Sequence, residues 1–230
     1  MPDRLLAVER VSVGYRSRGI ESRALEDLSL SFAPGTLTLV MGPSGSGKTT
    51  LLSVLGCLLT PDSGSVFLCG QEVTRLSGAA RTRLRRQRIG FVFQAFRLFH
   101  ALTALENVTL MGDIDGSGRS EERARALLAE LGLKDKAHLK PNALSGGENQ
   151  RVAIARVLMR NPDFVLADEP TASLDWRSGR QISETLGAVA EARGRTVVVV
   201  SHDPRWQAFA HRVVTLEDGR STGDTRGGRA

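Results

Sequence analysis

The chain has 230 residues, 41% of them hydrophobic, 24% charged and 5% aromatic, with a formal net charge of +6 at pH 7. This composition suits one large globular domain, or one domain with a subdomain. No run approaches the roughly 18 apolar residues of a membrane span, and the first residues have no apolar core of signal-peptide length. We therefore expect a cytosolic, unprocessed protein, in which Cys57 and Cys69 are small buried residues and form neither a metal site nor a disulfide.

Positive charge concentrates in two places, the segment from Arg81 to Arg88 and the last ten residues. A basic cluster attracts nucleic acid or anionic lipid, and it is equally typical of a solvated helix face and a disordered tail. Aromatic residues are not interleaved with the basic ones, as single-strand nucleic-acid platforms require. We therefore predict no nucleic-acid partner.

The first half of the chain opens with β-type patterns, apolar or alternating, broken by Pro and Gly turns. The predicted strands cover residues 5–15, 25–35, 36–42, 65–70 and 88–94. Two helices are predicted between them, one over residues 47–59 and a basic one near residues 79–87.

The middle of the chain is predicted to be helical. Thr103 followed by Glu106 three residues later is a capping-box pattern. Residues 113–120 form a predicted loop, and an amphipathic helix capped by Ser120 closes at Gly132. A polar stretch then leads into LSGGENQR, where a serine and two glycines stand directly before another apolar helix.

An α/β alternation returns after residue 160. Strands are predicted over residues 163–170, 195–203 and 212–220, with a helix over residues 177–194. Continuously apolar strands that alternate with helices indicate an α/β fold with a mostly parallel, covered sheet. The helical middle is then an inserted subdomain, and the Gly/Arg-rich residues 221–230 are expected to be a disordered tail.

The clearest motif is GPSGSGKTT, which matches G-x-x-x-x-G-K-[ST] between a predicted strand and a predicted helix. Glycines let successive N–H groups point inward around phosphate oxygens, and the helix N-terminus adds partial positive charge. Lys48 reaches the β- and γ-phosphates as a compact cation, and Thr49 offers its hydroxyl to Mg²⁺. The predicted P-loop for ATP and Mg²⁺ comprises Gly42, Pro43, Ser44, Gly45, Ser46, Gly47, Lys48, Thr49 and Thr50.

A pair of carboxylates follows another predicted strand, in FVLADEP. Ligands bind at the carboxyl ends of the strands in open α/β sheets, so Asp168 and Glu169 are placed beside the P-loop. We predict that Asp168 holds Mg²⁺, through a water, and that Glu169 orients or deprotonates the attacking water.

Seven elements now stand in one order, and their joint order is specific although each motif is weak by itself. They are Tyr15, GPSGSGKTT, Gln94 in FVFQ, LSGGENQR, VLADEP, SLD and His202 in VVVVSHD. From about residue 5 to 218 the chain resembles the nucleotide-binding subunit of ATP-binding-cassette (ABC) systems. The resemblance implies a P-loop NTPase core, an antiparallel β subdomain near the N-terminus and a helical subdomain at about residues 95–160, all within a single domain at residues 1–220.

The resemblance also assigns roles to single residues. Tyr15 matches the position that stacks on adenine, and Gln94 the position whose amide reaches both Mg²⁺ and the lytic water. His202 would hydrogen-bond the γ-phosphate, and Asp175 of SLD would cross a dimer interface. The predicted catalytic residues are Glu169, His202, Gln94 and Lys48, and the predicted metal-binding residues are Thr49, Gln94 and Asp168.

In LSGGENQR, the resemblance implies a second anion site at a helix start. Ser145 would be the N-cap, with the amides of Gly146 and Gly147 left unhindered. In the family this site meets the γ-phosphate bound by another chain, so the implied partner is a second copy of the ATPase. The roles of Glu148 and Asn149, which depart from the commoner pattern, stay open.

The run RIGFVFQAFRLFHALTALENVTL is similar to the lipoprotein-releasing and macrolide-export ATPases. This implies an ATPase that powers a separate integral membrane permease, of export or mechanotransmission type, at the inner face of the cell membrane. The alternative is an ABC ATPase that regulates an envelope enzyme or cell-division complex without transporting a substrate. The sequence leaves the transported substrate open.

Overall fold

The computed structural model describes residues 6–17, 20–114, 121–192 and 194–229. The strands are β1 (Leu6–Ser17), β2 (Ile20–Phe32), β3 (Leu37–Met41), β4 (Ser63–Leu68), β5 (Gln71–Glu72), β6 (Ile89–Phe93), β7 (Phe164–Asp168), β8 (Thr196–Val200), β9 (Arg212–Glu217) and β10 (Arg220–Arg226). The helices are α1 (Lys48–Leu55), α2 (Gly78–Arg88), α3 (Ala104–Ile114), α4 (Glu121–Glu130), α5 (Gly146–Met159) and α6 (Trp176–Ala192). Ser120 and residues 115–119 of the predicted loop lie outside the described residues.

The N-terminal part forms an antiparallel sheet with strand order β2-β1-β4-β5. Its apolar face is buried, with Leu6, Val11 and Phe32 fully enclosed. The predicted antiparallel β subdomain is therefore confirmed, although β2 begins five residues earlier than its alternating pattern indicated.

The second sheet has six strands in the order β10-β9-β3-β8-β7-β6. The pairs β9/β3, β3/β8, β8/β7 and β7/β6 are parallel, and only β10 runs antiparallel. All five residues of β8 are buried, as expected for a strand covered on both faces. Because the strands are parallel, the residues that follow β3, β6, β7 and β8 meet at one edge of the sheet.

Helices α3, α4 and α5 lie between β6 and β7 in the sequence and pack on one another. Their apolar faces belong to the same buried cluster as one face of the parallel sheet. The predicted capping box at the start of α3 is confirmed: Thr103 N donates to Glu106 Oε2 over 2.7 Å, and Glu106 N donates to Thr103 Oγ1 over 3.2 Å. The two sheets, together with the helices packed on the parallel one, confirm the expected α/β fold class.

Helix α1 is shorter than its sequence pattern predicted. It ends at Leu55, and Cys57 adopts a left-handed backbone with φ of 54°. That conformation cannot continue a right-handed helix, so the apolar residues 57–59 form a turn that the periodicity did not reveal.

The expected disordered tail is corrected for residues 221–229. Strand β10 pairs with β9, and the Asp224 carboxylate accepts hydrogen bonds of 2.8 and 2.6 Å from the Arg212 guanidinium. Arg229 forms an ion pair of 2.5 Å with Glu191. These strand and ion-pair contacts join the tail to distant parts of the chain, so its Gly/Arg-rich composition did not reveal them. Among the described residues, no helix is both long and apolar enough to cross a membrane.

Candidate active site

The P-loop connects β3 to α1 and depends on glycine for its shape. Gly42, Gly45 and Gly47 have φ of 152°, 84° and 98°, a backbone region that other residues rarely adopt. A Cβ atom at Gly42 would lie 2.0 Å from the carbonyl oxygen of Leu216, and one at Gly47 would lie 2.2 Å from that of Ala24. The loop is therefore packed against neighbouring backbone on its outer side, a shape that fits a phosphate cradle of inward-facing amides.

Lys48, the first residue of α1, reaches back over this loop. Its ammonium group donates to the carbonyl oxygens of Gly42 and Pro43 over 2.8 and 2.7 Å. Burial lowers the pKa of Lys48, and the nearby Glu169 and Asp168 carboxylates oppose that shift. A buried cation surrounded by backbone groups is well placed to contact a phosphate anion.

Thr49 and Asp168 bring two oxygen ligands together at the carboxyl ends of β3 and β7. Thr49 Oγ1 donates to Asp168 Oδ1 over 3.3 Å. Burial raises the pKa of Asp168, while the Thr49 hydrogen bond opposes the shift. Hydroxyl and carboxylate oxygens are the donors that Mg²⁺ prefers, so the donor set fits this cation.

Glu169 is held in an uncommon backbone conformation and by several donors. Its φ is 44°, a left-handed value that costs a non-glycine residue about 1–3 kcal/mol. Its carboxylate accepts hydrogen bonds of 3.0 Å from both Ser201 Oγ and His202 N, and lies 2.7 Å from His202 Nδ1. The strained position is thus fixed by the segment that follows β8.

Ser201 was not singled out from the sequence, although it contacts the Glu169 carboxylate directly. It is fully buried and directly precedes His202 at the end of β8. A small hydroxyl residue between an apolar strand and a candidate histidine was the available signal.

Gln94 and Tyr15 flank this centre. Gln94 is exposed and directly follows Phe93, whose register partner on the neighbouring strand is Asp168. The Tyr15 side chain is 48% exposed, with its hydroxyl 3.4 Å from Thr50 Oγ1. An exposed aromatic ring beside the P-loop helix is a suitable surface for stacking a base.

Ser145 is the N-cap of α5, as predicted. Glu148 N donates to Ser145 Oγ over 3.3 Å, and Ser145 N donates to Glu148 Oε2 over 2.9 Å, which completes a capping box. Lys136 forms an ion pair with the Glu148 carboxylate, and its hydrogen bond is the main cause that lowers the pKa of Glu148. The open question about Glu148 is thereby answered: it stabilises the start of this helix.

The two residues on either side of Glu148 also have packing roles. A Cβ atom at Gly147 would lie 2.7 Å from Ser178 Cβ, so glycine permits the close approach of α5 and α6. Asn149 is buried, and its amide donates to the carbonyl oxygens of Pro141 and Leu144 over 3.0 and 3.3 Å. These contacts fix the loop in front of the Ser145 site.

The predicted site residues therefore fall into two groups. Lys48, Thr49, Asp168, Glu169 and His202 meet at one edge of the parallel sheet. Within the part of the chain that the structure describes, the hydrogen bonds of Ser145 run to its own helix turn and none reaches the P-loop. Asp175 is exposed and accepts a hydrogen bond of 3.0 Å from Ser178 N, which makes it a cap of α6.

The fold, with the P-loop and two carboxylates at one edge of the parallel sheet, is that of an ATP-binding cassette. The chain belongs to the ABC transporter family, whose model matches residues 25–172. The chain is 39% identical to the ATP-binding cassette MJ0796, solved as a dimer in a post-hydrolysis state bound to ADP and Pi. That similarity has a TM-score of 0.87 and covers 98% of this chain and 99% of MJ0796.

Similar sequences include macrolide export ATP-binding/permease proteins named MacB. The relative from Burkholderia pseudomallei strain 1710b is 44% identical over 222 residues, which is 96% of this chain and 34% of that protein. The relative named MacB 1/2 from Paracoccus denitrificans is 48% identical over 226 residues, 97% of this chain and 34% of that protein. The chain thus spans about a third of these relatives, and the predicted resemblance to the macrolide-export branch is confirmed.

Proposed function

We propose that this chain binds and hydrolyses ATP as the cassette of an ABC transport system, with residues 1–220 acting as one ATP-binding domain. The observation that carries the proposal is the meeting of the P-loop, Asp168, Glu169 and His202 at one sheet edge. In this proposal the P-loop amides and Lys48 hold the phosphates, Tyr15 stacks on adenine, and the nucleotide lies along the edge.

In hydrolysis a water oxygen bonds to the γ-phosphorus while the bond from that phosphorus to the bridging oxygen breaks, so that ADP and phosphate leave. Positioning is the main contribution of the protein. Glu169 accepts a proton from that water or orients it, an effect worth roughly 10²–10⁴-fold. His202 keeps the carboxylate in place and contacts the γ-phosphate, and the Gln94 amide orients the water from the neighbouring strand.

Thr49, Asp168 and Gln94 are the residues that would hold Mg²⁺, Asp168 through a water. When bound, Mg²⁺ neutralises charge on the β- and γ-phosphates. Burial that raises the pKa of Asp168 favours occupation by a cation, since a cation compensates the cost of the buried carboxylate.

The Ser145 site contributes to a second copy of the chain. In this proposal two cassettes associate with two-fold symmetry, so that Ser145, Gly146 and Gly147 of one chain contact the γ-phosphate held by Lys48 of the other. Asp175 lies at the same interface. The dimer of MJ0796 supports this arrangement, and so does the capped, glycine-rich start of α5 as an anion site.

The partner that uses this energy is an integral membrane permease, of export or mechanotransmission type. The printed names of the MacB relatives, which join an ATP-binding part and a permease part, support a membrane partner. The cassette would then lie in the cytoplasm against the inner face of the membrane. Co-purification of the membrane protein from detergent-solubilised cells tests this part of the proposal.

The decisive test of the catalytic assignment is Glu169→Gln. We expect this variant to bind ATP like the wild-type protein, to lose about 10²–10⁴-fold in turnover, and to accumulate as an ATP-bound dimer. ATPase assays, ATP-binding titrations and light scattering measure the three quantities.

Glu122→Gln is the matched control, because Glu122 is an exposed residue of the first turn of α4, away from the sheet edge. It should hydrolyse ATP at the wild-type rate. Wild-type turnover by Glu169→Gln would show that Glu169 is not the base.

A further inference from the structure

A continuous set of contacts leads from the surface of α6 to the Glu169 carboxylate. The Arg205 guanidinium lies over the Trp176 ring, 4.8 Å from its centroid, and Arg205 Nε donates to the Asp203 carboxylate oxygens over 2.8 and 2.7 Å. The Asp203 amide donates to Ser201 Oγ over 3.2 Å, and Ser201 Oγ donates to Glu169 Oε2 over 3.0 Å.

The ion pair in the middle of this set also shapes the backbone. Asp203 accepts a hydrogen bond of 2.9 Å from Arg205 N and caps the short 3-10 helix at residues 204–209. The Arg205 side chain fixes the Asp203 carboxylate, and that carboxylate caps the turn that follows the Asp203 amide. That amide is the donor to Ser201, so the geometry of the turn is transmitted to the Ser201 hydroxyl.

A second, buried link joins the same two segments. Trp206 is 1% exposed, and its Nε1 donates to Thr171 Oγ1 over 3.0 Å. Residues 169–176 and 201–206 are therefore held together by a core contact that does not involve Trp176 or Arg205. Removal of the surface pair should leave the packing of the two segments in place.

The surface pair itself contributes little to the core. The Trp176 residue is 55% exposed, and the Arg205 side chain is 52% exposed. An exposed cation–π contact stabilises a fold only slightly. A large aromatic ring left in solvent directly after Asp175 therefore calls for a reason other than stability.

We propose that Arg205 and Trp176 are positioning residues that orient the Glu169 carboxylate through Asp203 and Ser201. The pair also connects that carboxylate to Asp175, the neighbour of Trp176 that we place at the dimer interface. This inference rests on the proposed function, because it concerns the same hydrolysis step.

The test compares Arg205→Gln with the wild-type protein in steady-state ATPase assays. A carboxylate displaced by a fraction of an ångström should lower kcat, and we expect a loss of about 5- to 100-fold. The KM for ATP should stay within about twofold, because the groups placed on the nucleotide are unchanged. Arg125→Gln is the matched control, since Arg125 forms an exposed ion pair with Glu121 on α4, and it should leave kcat unchanged.

Conservative and disruptive changes of the ring give a second measurement. Trp176→Phe keeps an aromatic face under the guanidinium and should retain at least about half of the wild-type kcat. Trp176→Leu removes that face and should lower kcat towards the value of Arg205→Gln. Arg205→Lys keeps the charge and loses the planar fork, so its kcat should be intermediate.

A double variant separates positioning from a structural role. If Arg205 acts through Glu169, then Arg205→Gln added to Glu169→Gln should change the residual single-turnover rate by less than about twofold. A full additional loss in the double variant would overturn the proposal, as would a wild-type kcat for Arg205→Gln. A drop of kcat that is matched by a drop in Tm would also overturn it in favour of a structural pair.

Two outcomes separate the catalytic role of Glu169 from the positioning role of Arg205. Wild-type turnover by Glu169→Gln would overturn the proposed catalytic role and this inference together. Slow turnover by Glu169→Gln with normal turnover by Arg205→Gln would overturn only the positioning role.

Discussion

At the scale of single residues, burial sets the electrostatics of the site. Burial lowers the pKa of Lys48 and raises the pKa of Asp168, so the folded protein disfavours the charged form of each group. Glu169 is strained at φ of 44° and held by Ser201 and His202, in the segment that follows β8. The buried charges and the backbone strain occur at the residues that we propose to contact the phosphate, Mg²⁺ and the attacking water. Ligand binding there would offset their cost in stability.

Asp168→Asn should stabilise the nucleotide-free protein at neutral pH, because it removes the cost of a buried charge. The sign follows from linkage: an acid with a raised folded pKa favours the folded state as the pH falls through that pKa. The difference in Tm between the variant and the wild-type protein should therefore shrink towards acid pH. Thermal unfolding between neutral and acid pH measures it.

Addition of MgATP should reverse the order, because only the wild-type protein keeps the carboxylate for Mg²⁺ and therefore gains the full stabilisation by binding. Asp135→Asn, at an exposed position in a 3-10 helix, is the control and should show neither effect. A variant that MgATP stabilises as much as it does the wild-type protein would remove Asp168 from the metal site.

Lys48→Met should separate binding from stability. The variant loses charge-assisted hydrogen bonds to phosphate worth about 1.5–3 kcal/mol, so ATP affinity should fall by about 10- to 150-fold. The Tm without nucleotide should change by no more than about 4 °C, because the lost ammonium was itself a partly desolvated charge. Titration with ATP and calorimetry check the two values, and unchanged affinity would contradict the assignment.

At the scale of the element, α5 connects the Ser145 cap to the edge of the sheet. Its first turn is fixed by the capping box and by Lys136. In its second turn, Gln150 Nε2 donates to the carbonyl oxygens of Phe93 and Pro170 over 3.3 and 2.9 Å. One helix thus contacts the ends of β6 and β7, which carry Gln94 and Asp168, and presents Ser145 at its own start.

Glu148→Ala should lower the free energy of unfolding by about 0.5–1.5 kcal/mol, the usual net value of a lost hydrogen bond. The hydrogen bond from Ser145 N is lost, whereas the Ser145 hydroxyl still caps the helix. Glu148→Gln keeps an acceptor oxygen for Ser145 N and should lose only the contribution of the charge. Urea unfolding of the wild-type protein and both variants gives these values. Equal stability of all three would show that the capping box contributes nothing.

The difference in the free energy of unfolding between the wild-type protein and Glu148→Gln should depend on pH. Because the pKa of Glu148 is lowered, the contribution is fully present above its ordinary value of 4.5 and is lost as the pH falls through the lowered pKa. Urea unfolding at neutral pH and at about pH 3 should show the difference and then its disappearance. If the difference persisted at acid pH, it would come from the side-chain geometry of Glu148 and not from its charge.

At the scale of the whole molecule, the two anion sites that we propose lie on different elements. The P-loop lies at the end of β3, and the Ser145 site lies at the start of α5. Among the residues that the structure describes, no hydrogen bond joins the two sites. A two-fold symmetric pair, in which the P-loop of each chain faces Ser145 of the other, would complete two composite sites at once. Ser145→Arg should therefore leave ATP binding at Lys48 nearly intact and abolish dimer closure and hydrolysis.

Mixing two inactive variants tests this arrangement directly. When Ser145→Arg and Glu169→Gln chains are mixed before ATP is added, half of the dimers are mixed and each contains one intact site. Turnover should recover to at most about a quarter of the wild-type value. No recovery in the presence of confirmed mixed dimers would contradict the shared site, and activity of Ser145→Arg alone would contradict it as well.

The sequence by itself determined the features that depend on near neighbours. The glycine spacing of the P-loop, the capping box at Thr103, the N-cap at Ser145 and the apolar strands are local patterns, since turns, caps and periodicity act over a few residues. Their order along the chain was enough to indicate the family and the predicted nucleotide site.

Only the tertiary structure decided which distant groups meet. Ser201 reaches Glu169 across 32 positions, Gly147 packs on Ser178, and Arg212 orders the tail through Asp224. The position of the Arg205 guanidinium over Trp176 belongs to the same class. Such contacts depend on how the parallel strands and helices are placed beside one another, and a local pattern carries no information about that placement.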